Sequence, residues 1–474
     1  MWILLTLTLS ARAGQPGVAW TSPTPDLIGV DGLVVGDFDG LPPLDAAATV
    51  SALDRVWVEV YFRPEKRLVR VSSSAPGPLR LLTADVDGDG LDELILGEPG
   101  YSVQVPPAGE GRALVVLDLK ALVDGDPYER KSTVITAASR SNLGAALAAA
   151  DVNGDARLDL IVSGIGGVTS LDTSGDILAF PDLVTAASYD AALAGRWRAA
   201  KGWLPQPSRN GSSLAASGGV LLGLGCAEGP LGACDRLTLF QLLSSSWPGA
   251  DATTELPDTQ RLNSDLSVTG REELVWRDDL DGDGAPDALL TGTTLHRVSP
   301  SSPPVITNAG LRVEPGGAAT RQHPEGTRLL LADAGVVYEF ADPTAVSFDV
   351  TVADDQWSLA GAARLRTADD WDGDGCPDTL VSGLGNVGVI PGDCTVAVDT
   401  DPPVDTDPPV DTDAETDLDT DPAGEDTATP LPCEPSFGWS CRHTPGPTML
   451  PMLGALWALT RGRGRRPSAG RQAT

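Results

Sequence analysis

Residues Ala84–Gly100 read ADVDGDGLDELILGEPG, so a cluster of acidic residues and glycines runs directly into an apolar stretch. Asp-Gly pairs are typical of tight turns between antiparallel strands. The apolar stretch is rich in Leu and Ile and ends at a glycine, which is the pattern of a short buried strand. The segment therefore predicts a strand, an acidic loop and a second strand.

Four other segments repeat this plan, and most of them also close on a glycine. Counted from the first Asp to the ninth residue, the acidic loops are loop 1 (37–45), loop 2 (85–93), loop 3 (151–159), loop 4 (279–287) and loop 5 (370–378). The long gap between loops 3 and 4 predicts a further unit that has lost its acids, SSLAASGGVLLGLGCAEG from Ser212. RLLLADAGVVYEFADP from Arg328 predicts another. Seven units of roughly 54 residues lie in the range of radial and solenoidal β repeats.

The composition favours many short strands and argues against nucleic acid as a partner. Gly (53) and Pro (39) are abundant and aromatic residues make up 5% of the 474 residues, which disfavours a large helical protein. The segment DLVTAASYDAALAGRWRAA from Asp182 is an exception and predicts an inserted helix. With 66 acidic and 33 basic residues the net charge is -33, which repels phosphates, so we expect no nucleic acid partner.

The two ends of the chain differ from the repetitive part, residues 18–398. Residues 1–13 form an apolar run that ends in an Ala-x-Ala pattern and predict a signal peptide; because a basic start is missing, a buried first strand is the alternative. Residues 399–432 contain Asp, Thr and Pro with hardly an apolar side chain, which predicts a disordered acidic linker. Residues 433–474 form a tail with two cysteines, a short apolar run and an arginine cluster.

The six cysteines fall in close pairs along the chain. These pairs are Cys226/Cys234, Cys376/Cys394 and Cys433/Cys441. In an exported chain this pairing favours small disulfide loops, although free thiols are the alternative, and the CxxC spacing of a zinc site is missing.

Loops 2 to 5 have the composition of a site for a hard cation. Acids or Asn stand at positions 1, 3, 5 and 9, and Gly stands at position 4 and usually at position 6. Ca²⁺ takes about six to eight oxygen ligands, and alternate positions turn three carboxylates to one side of a tight loop while position 9 would close the shell. The candidate ligands are Asp85, Asp87, Asp89, Glu93, Asp151, Asn153, Asp155, Asp159, Asp279, Asp281, Asp283, Asp287, Asp370, Asp372, Asp374 and Asp378.

Two alternatives explain the same residues without such a site. A hairpin turn needs only one Asp and one Gly, whereas several carboxylates crowded into one loop repel one another unless a cation neutralises them. An EF-hand would need Glu at position 12 and flanking helices, but position 12 is Leu96 in loop 2 and Val162 in loop 3, both in strand-like runs. We therefore predict Ca²⁺ in loops 2 to 5. Loop 1, opening at Asp37, lacks the acid at position 5 and predicts a turn only.

The pattern D-x-[DN]-G-D-G-x-x-[DE] followed by L-I-x-G resembles the FG-GAP repeat of integrin α-subunit propellers and their bacterial relatives with VCBS-type repeats. This resemblance extends over roughly 380 residues. It implies an all-β fold, a β-propeller of seven four-stranded blades with Ca²⁺ in hairpin loops on one face. The tail is similar to C-terminal sorting signals of the MYXO-CTERM kind, which implies recognition by an export or sorting system and attachment at the cell surface.

Together these features predict a secreted or surface-displayed, monomeric calcium-binding β-propeller that acts as a binding or adhesion module for a protein or glycan. A structural component of the cell envelope without a specific ligand is the alternative, and a polysaccharide-acting hydrolase is a weaker one. We expect no enzyme, no catalytic residues and no organic cofactor. His296, His323 and His443 stand in unrelated contexts, and the sequence has no GxSxG, HExxH or Walker motif.

Overall fold

The computed structural model describes most of the chain between residues 12 and 393 and shows an all-β fold. Residues 1–11 and 394–474 lie outside the described part. Within it the gaps are 15, 24–26, 53–55, 73–78, 100–110, 117, 128–131, 137–141, 165–175, 182, 184–187, 191–193, 199–202, 205–213, 218–219, 229–233, 244–252, 256–260, 267–272, 277–279, 281–286, 293–294, 300–304, 309–311, 314–315, 346–347 and 362–363.

The first two described strands, β1 (Arg12–Gly14) and β2 (Gly17–Thr21), join sheets that are completed at the far end of the chain. The first sheet contains β3 (Leu27–Gly36), β4 (Asp45–Ala52), β5 (Val56–Phe62) and β6 (Arg67–Ser72). The second sheet contains β7 (Arg80–Ala84), β8 (Glu93–Glu98), β9 (Arg112–Val116) and β10 (Ser132–Thr136). The third sheet contains β11 (Leu147–Ala150), β12 (Asp159–Gly164), β13 (Asp176–Phe180) and β15 (Gly195–Arg198), while β14 (Ser188–Asp190) extends the second sheet.

The fourth sheet contains β17 (Leu214–Ser217), β18 (Val220–Glu228), β19 (Cys234–Leu243) and β21 (Arg261–Leu266). In addition, β16 (Trp203–Leu204) pairs with β18, and β20 (Thr253–Glu255) extends the third sheet. The fifth sheet contains β22 (Glu273–Trp276), β23 (Ala288–Thr291), β24 (His296–Ser299) and β25 (Val305–Asn308).

The sixth sheet contains β26 (Ala318–His323), β27 (Gly326–Asp333), β28 (Val336–Phe340), β29 (Asp355–Ser358) and β1. The seventh sheet contains β30 (Leu365–Thr367), β31 (Thr379–Ser382), β32 (Asn386–Ile390) and β2. The helices of the described part are two short 3₁₀ helices, Leu119–Ala121 and Val350–Val352. No helix in this part is long and apolar enough to cross a membrane.

The sheets are arranged around a ring with their first strands innermost. β3 lies beside β7, β7 beside β11, β11 beside β17, β17 beside β22, β26 beside β30, and β30 beside β3. The ring is closed by β2, which comes from the start of the chain and pairs antiparallel with β32 from Gly17 opposite Val389 to Thr21 opposite Asn386. The predicted β-propeller is therefore confirmed, and its described strands form seven sheets.

The apolar cores lie between neighbouring sheets, and strand β8 shows why. Successive side chains of a strand point to opposite faces, so Leu94 and Leu96 pack towards the first sheet while Ile95 packs towards the third. All six residues of β8 are buried. Because both faces of the sheet are covered, consecutive residues of the strand are apolar. This is the pattern that the sequence shows after the acidic loops.

Two sequence interpretations of individual segments can be compared with the strands. The unit predicted from Ser212 contains the hairpin of β17 and β18, so it supplies the first two strands of the fourth sheet as expected. The unit predicted from Arg328 is displaced by one strand, because it covers β27 and β28, the second and third strands of the sixth sheet.

The helix predicted from Asp182 is wrong. This stretch contains β14, and β15 pairs with β13 so that Ile177 lies opposite Trp197. Pairing with an existing strand decides the conformation here, because helical periodicity is only a weak local preference.

The chain divides into two units, Met1–Thr400 and Asp401–Thr474. Strand β2 starts at Gly17, next to residue 18, where the repetitive part of the sequence begins. The predicted linker (399–432) and tail (433–474) lie outside the described residues, as does most of the predicted signal peptide (1–13).

Candidate metal-binding loops

The acidic loops occupy equivalent places in their sheets. Each one connects the first, innermost strand to the second: β3 to β4, β7 to β8, β11 to β12, β22 to β23, and β30 to β31. Because the first strands run side by side around the ring, the five loops lie at one end of it. The fourth and sixth sheets have a shorter connection at this place.

Loop 2 folds around the carboxylate of its first residue. Asp85 Oδ1 accepts the backbone N–H of Gly88 at 2.7 Å, and Oδ2 accepts that of Gly90 at 3.0 Å. One carboxylate oxygen each of Asp85, Asp87 and Glu93 lies within 4.8 Å of the others. Such a convergence of carboxylates fits a hard divalent cation. Asp89 is not part of this group; its Oδ1 accepts the N–H of Leu91 at 2.8 Å.

Loop 5 repeats this geometry. Asp370 accepts the N–H of Gly373 at 2.6 Å and that of Gly375 at 2.8 Å. Here the oxygens within 4.8 Å of one another belong to Asp370, Asp372 and Asp374, and not to Asp378. The loop is held from outside as well, because Arg63 donates to the carbonyl of Asp370 and its guanidinium lies 4.8 Å from the ring centre of Trp371.

Loop 3 has the same backbone fold but a looser set of acids. Asp151 accepts the N–H groups of Gly154 at 2.6 Å and Ala156 at 2.8 Å. Asn153 donates to Asp155 at 3.1 Å, so this amide is turned towards a neighbouring acid. Among the acids that the structure describes here, no three oxygens lie within 4.8 Å of one another.

Loop 4 can be described only at its second and ninth positions, and its predicted ligands Asp279, Asp281 and Asp283 lie outside the described residues. Asp287, at position 9, is buried and accepts the N–H of Leu280 at 2.8 Å. This contact between positions 2 and 9 is the same as the one in the other loops.

The acid at position 9 has a structural role that the sequence interpretation missed. It is buried and accepts the backbone N–H of position 2 in each loop: Glu93 from Val86 at 2.8 Å, Asp159 from Val152 at 2.8 Å, Asp287 from Leu280 at 2.8 Å, and Asp378 from Trp371 at 2.6 Å. The constant seven-residue spacing is the sequence signal for this contact. It fastens the start of the loop to the second strand.

Burial raises the pKa of these acids. The pKa of Glu93 rises to about 8 and that of Asp159 to about 6, in both cases mainly because burial disfavours the charged form, with repulsion from the other acids of the loop adding to the effect. The pKa of Asp378 is raised by burial as well. A divalent cation among the same carboxylates would oppose both causes, because it would neutralise their charge.

The donor set therefore fits Ca²⁺ best in loops 2 and 5. An ionised carboxylate has about four lone-pair sites, so the Asp oxygens that accept backbone N–H groups retain sites for a cation. In loop 3 the buried Oδ1 of Asp159 has no hydrogen-bond partner, which leaves an acceptor for a cation there. Glu93, in the converging group of loop 2, and Asp159, with its unpartnered Oδ1, therefore combine the backbone contact with an acceptor for a cation. Both oxygens of Asp378 accept backbone N–H groups, including that of Gly392 at 2.6 Å, and this acid lies outside the converging group of loop 5.

Loop 1 differs in a way that follows from its sequence. Asp37 accepts the N–H of Gly40 at 2.7 Å, as in the other loops. In place of a further acid, Lys120 of the 3₁₀ helix Leu119–Ala121 lies beside this loop, with its Nζ 4.0 Å from Asp39 Oδ2. Asp45, at position 9, is fully buried, and burial raises its pKa to about 7.

The remaining candidates from the sequence lie apart from these loops. His296 is in β24 of the fifth sheet and His323 is in β26 of the sixth, where its Nε2 is 3.6 Å from Asp393 Oδ2. His443 lies outside the described residues. Cys376, at position 7 of loop 5, forms a disulfide; its predicted partner Cys394 lies outside the described part, and no side-chain position is described for Cys226 and Cys234.

Comparison with known families identifies one repeat in this chain. Residues 78–116 match the model of the FG-GAP repeat, and they comprise β7, loop 2, β8 and β9, the first three strands of the second sheet. None of the curated proteins matches the chain. The match and the ring of sheets together support the predicted FG-GAP-type propeller, with loop 2 at the centre of the matched repeat.

Proposed function

We propose that this protein is a calcium-binding β-propeller that acts as an extracellular binding or adhesion module, with the ions stabilising the ring. The observation that carries the proposal is the convergence of Asp85, Asp87 and Glu93 within the matched FG-GAP repeat. Its repetition in loop 5, at the same end of the ring, supports a structural role for the ions rather than one reaction centre.

The acidic residues of a loop have different roles according to their position. The acid at position 1 shapes the loop by accepting backbone N–H groups, and the acid at position 9 links the loop to the second strand. Further oxygens come from position 3 in loop 2 and from positions 3 and 5 in loop 5. A bound Ca²⁺ would neutralise the crowded charge, and the affinity expected for an extracellular module is on the order of 10⁻⁴–10⁻³ M.

The remaining elements of the proposal rest on the sequence. The N-terminal run supports secretion, and the acidic linker and tail support display at the outer cell surface of a monomeric protein. A protein or glycan is the proposed partner, and the net charge of -33 argues against nucleic acid. A structural role in the envelope is the second candidate, and it predicts the same calcium loops without a saturable ligand.

The proposal is tested by thermal melts of the full chain with excess calcium and with a chelator, at matched ionic strength. Two loops occupied at ten to one hundred times their Kd raise the midpoint by about 4–7 °C for a chain of this size. Asp85→Ala and Asp370→Ala should each remove part of this calcium-dependent gain. The matched control is Asp124→Ala, which removes an exposed acid that pairs with Arg70 outside the loops. An identical melt of the wild-type protein with and without calcium would contradict the proposal.

A further inference from the structure

A cavity of about 80 Å³ lies among the innermost strands, away from the acidic loops. Its lining includes leucines of the first five sheets, among them Leu33, Leu81 and Leu147. Four charged residues also line it: Arg80, Glu273, Arg364 and Arg366. A space of this size holds only a few water molecules, since each takes about 30 Å³ in the liquid.

Three of these charged residues occupy the same level of their sheets. Arg80 lies opposite Gly97, Glu273 opposite Thr291, and Arg364 opposite Ser382. In each sheet that opposite residue is the thirteenth residue counted from the start of the acidic loop. The three charged residues therefore hold equivalent places at the starts of the innermost strands β7, β22 and β30. They face one another across the ring.

Small residues at the same level explain the open space between them. Gly32 lies opposite Thr49 in the first sheet, and Ala146 lies opposite Ser163 in the third, again at the thirteenth loop position. Both line the cavity. Since neither has a side chain long enough to reach its centre, the guanidinium groups border a space that the protein itself does not fill.

The positive charge exceeds the negative charge at this level. Arg364 Nη1 lies 2.7 Å from Glu273 Oε1, and Arg366 Nη2 lies 4.0 Å from the same oxygen. Burial alone would raise the pKa of Glu273, but Arg364, Arg366 and Arg80 together lower it below its usual value. Burial and the proximity of Arg364 lower the pKa of Arg366 to about 10. Among the described residues that line the cavity, Glu273 is the one carboxylate against three guanidinium groups.

The backbone fixes this arrangement. Gly316 has a φ of +69°, and a Cβ there would lie 2.6 Å from Arg364 Nη1, so the arginine packs directly on the chain. The N–H of Leu365 donates to the carbonyl of Gly316 at 3.1 Å. Arg364 immediately precedes β30 and Arg366 lies within it, and both line the cavity.

We infer that the cavity binds a single small oxyanion, a carboxylate or a phosphate group, between Arg80 and Arg366, beside the ion pair of Arg364 and Glu273. Guanidinium groups bind both oxyanions through paired charged hydrogen bonds. The inference deepens the proposed binding module and rests on it for its biological role. It assigns the ligand site to the end of the first strands opposite the calcium loops, about 16 Å away along five residues of β7.

The test is calorimetric titration of the full chain with sodium acetate and, separately, with inorganic phosphate, at constant ionic strength and in both calcium and chelator. The expected result is saturable binding of one anion per chain. Arg80→Met and Arg366→Met should each weaken it about tenfold to one hundredfold, as expected for losing hydrogen bonds to a charged group. The matched control is Arg70→Met, which removes the same charge from the outer strand β6 and should leave the affinity unchanged.

If the methionine variants do not fold, Arg366→Lys replaces them in the test. Lysine keeps the positive charge but lacks the planar guanidinium with its paired donors, so this variant should still bind the anion more weakly. Binding of acetate alone assigns the site to carboxylates, and binding of phosphate alone assigns it to phosphates. The inference is overturned if neither anion gives a saturable signal with the wild-type protein, or if the cavity variants bind as the wild type does. A failure of the calcium proposal would leave the anion titration intact, so the two outcomes are distinguishable.

Discussion

At the scale of single residues, position 6 of the acidic loops shows how backbone conformation constrains the sequence. Gly90 in loop 2 has a φ of +90°, and no atom lies within 4 Å of where a Cβ would be. Ala156 is at the same position in loop 3 with a φ of +68°. This left-handed region costs an ordinary residue about 1–2 kcal/mol. Loop 3 therefore has the same backbone fold as loop 2, but with Ala156 held at an unfavourable φ angle.

The two positions give a reciprocal prediction. Ala156→Gly should raise the free energy of unfolding by about 0.5–1 kcal/mol, because relief of the strain exceeds the added flexibility of glycine. Gly90→Ala should lower it by a similar amount, since only the φ angle is unfavourable there. Denaturant unfolding in chelator measures both changes without a contribution from calcium. Equal stability of all three proteins would show that φ does not limit these loops.

At the scale of the structural element, the raised pKa of the position-9 acids predicts a coupling between protons and calcium in loops 2 and 3. The pKa of Glu93 is raised to about 8 and that of Asp159 to about 6. Between the ordinary pKa and the raised one, the folded metal-free chain holds protons that the unfolded chain has lost. The free energy of unfolding must then fall as the pH rises through this window.

Bound calcium should reverse the fall in the free energy of unfolding that the metal-free chain shows as the pH rises. The ion binds the deprotonated carboxylates, so we expect the gain in melting temperature from calcium to increase between about pH 5 and pH 8. Glu93→Gln retains an oxygen for the N–H of Val86 but cannot ionise, and should make the calcium-dependent gain smaller and less sensitive to pH. Thermal melts in calcium and in chelator across this range provide the measurement. Asp45, with a pKa of about 7 in loop 1, contributes the same slope in both conditions and cancels in the difference. A calcium gain that is independent of pH would refute this coupling.

At the scale of the whole molecule, the ring depends on a strand from the start of the chain. Trp20 in β2 is 6% exposed, and its ring stacks on Tyr61 of the first sheet with centres 5.4 Å apart. Its Nε1 donates to Glu59 at 3.4 Å. Strand β2 thus joins the seventh sheet to the first, whereas β1 adds three residues to the edge of β29.

Shortening the chain separates the contributions of these two strands. A chain that begins at residue 16 lacks only β1 and should melt within a few degrees of the full chain. A chain that begins at residue 22 also lacks β2 and should lose at least about 3–5 kcal/mol, the usual effect of removing a buried Trp side chain, together with the cooperativity of unfolding. Calorimetry measures both. Equal melts of the two shortened chains would show that β2 does not close the ring. Cleavage at the predicted signal site after Ala13 would leave β2 in place.

The sequence by itself determined the local features: strand, acidic loop, strand, and the spacing that repeats them. These follow from contacts between residues close in the chain, such as Asp85 with Gly88 or Glu93 with Val86, and such contacts leave a fixed spacing in the sequence. The helix predicted from Asp182 failed for the converse reason, since β15 forms only because β13 is available to pair with it.

The tertiary structure alone decided which distant residues share a level of the ring. Arg80, Glu273 and Arg364 lie far apart in the sequence. They become neighbours because each lies opposite the equivalent residue of the second strand in its own sheet. The closing contact of β2 with β32 likewise joins the two ends of the described chain. Such contacts depend on the summed geometry of all the sheets between them, which no local pattern encodes, and the proposed anion site therefore became visible only in the folded ring.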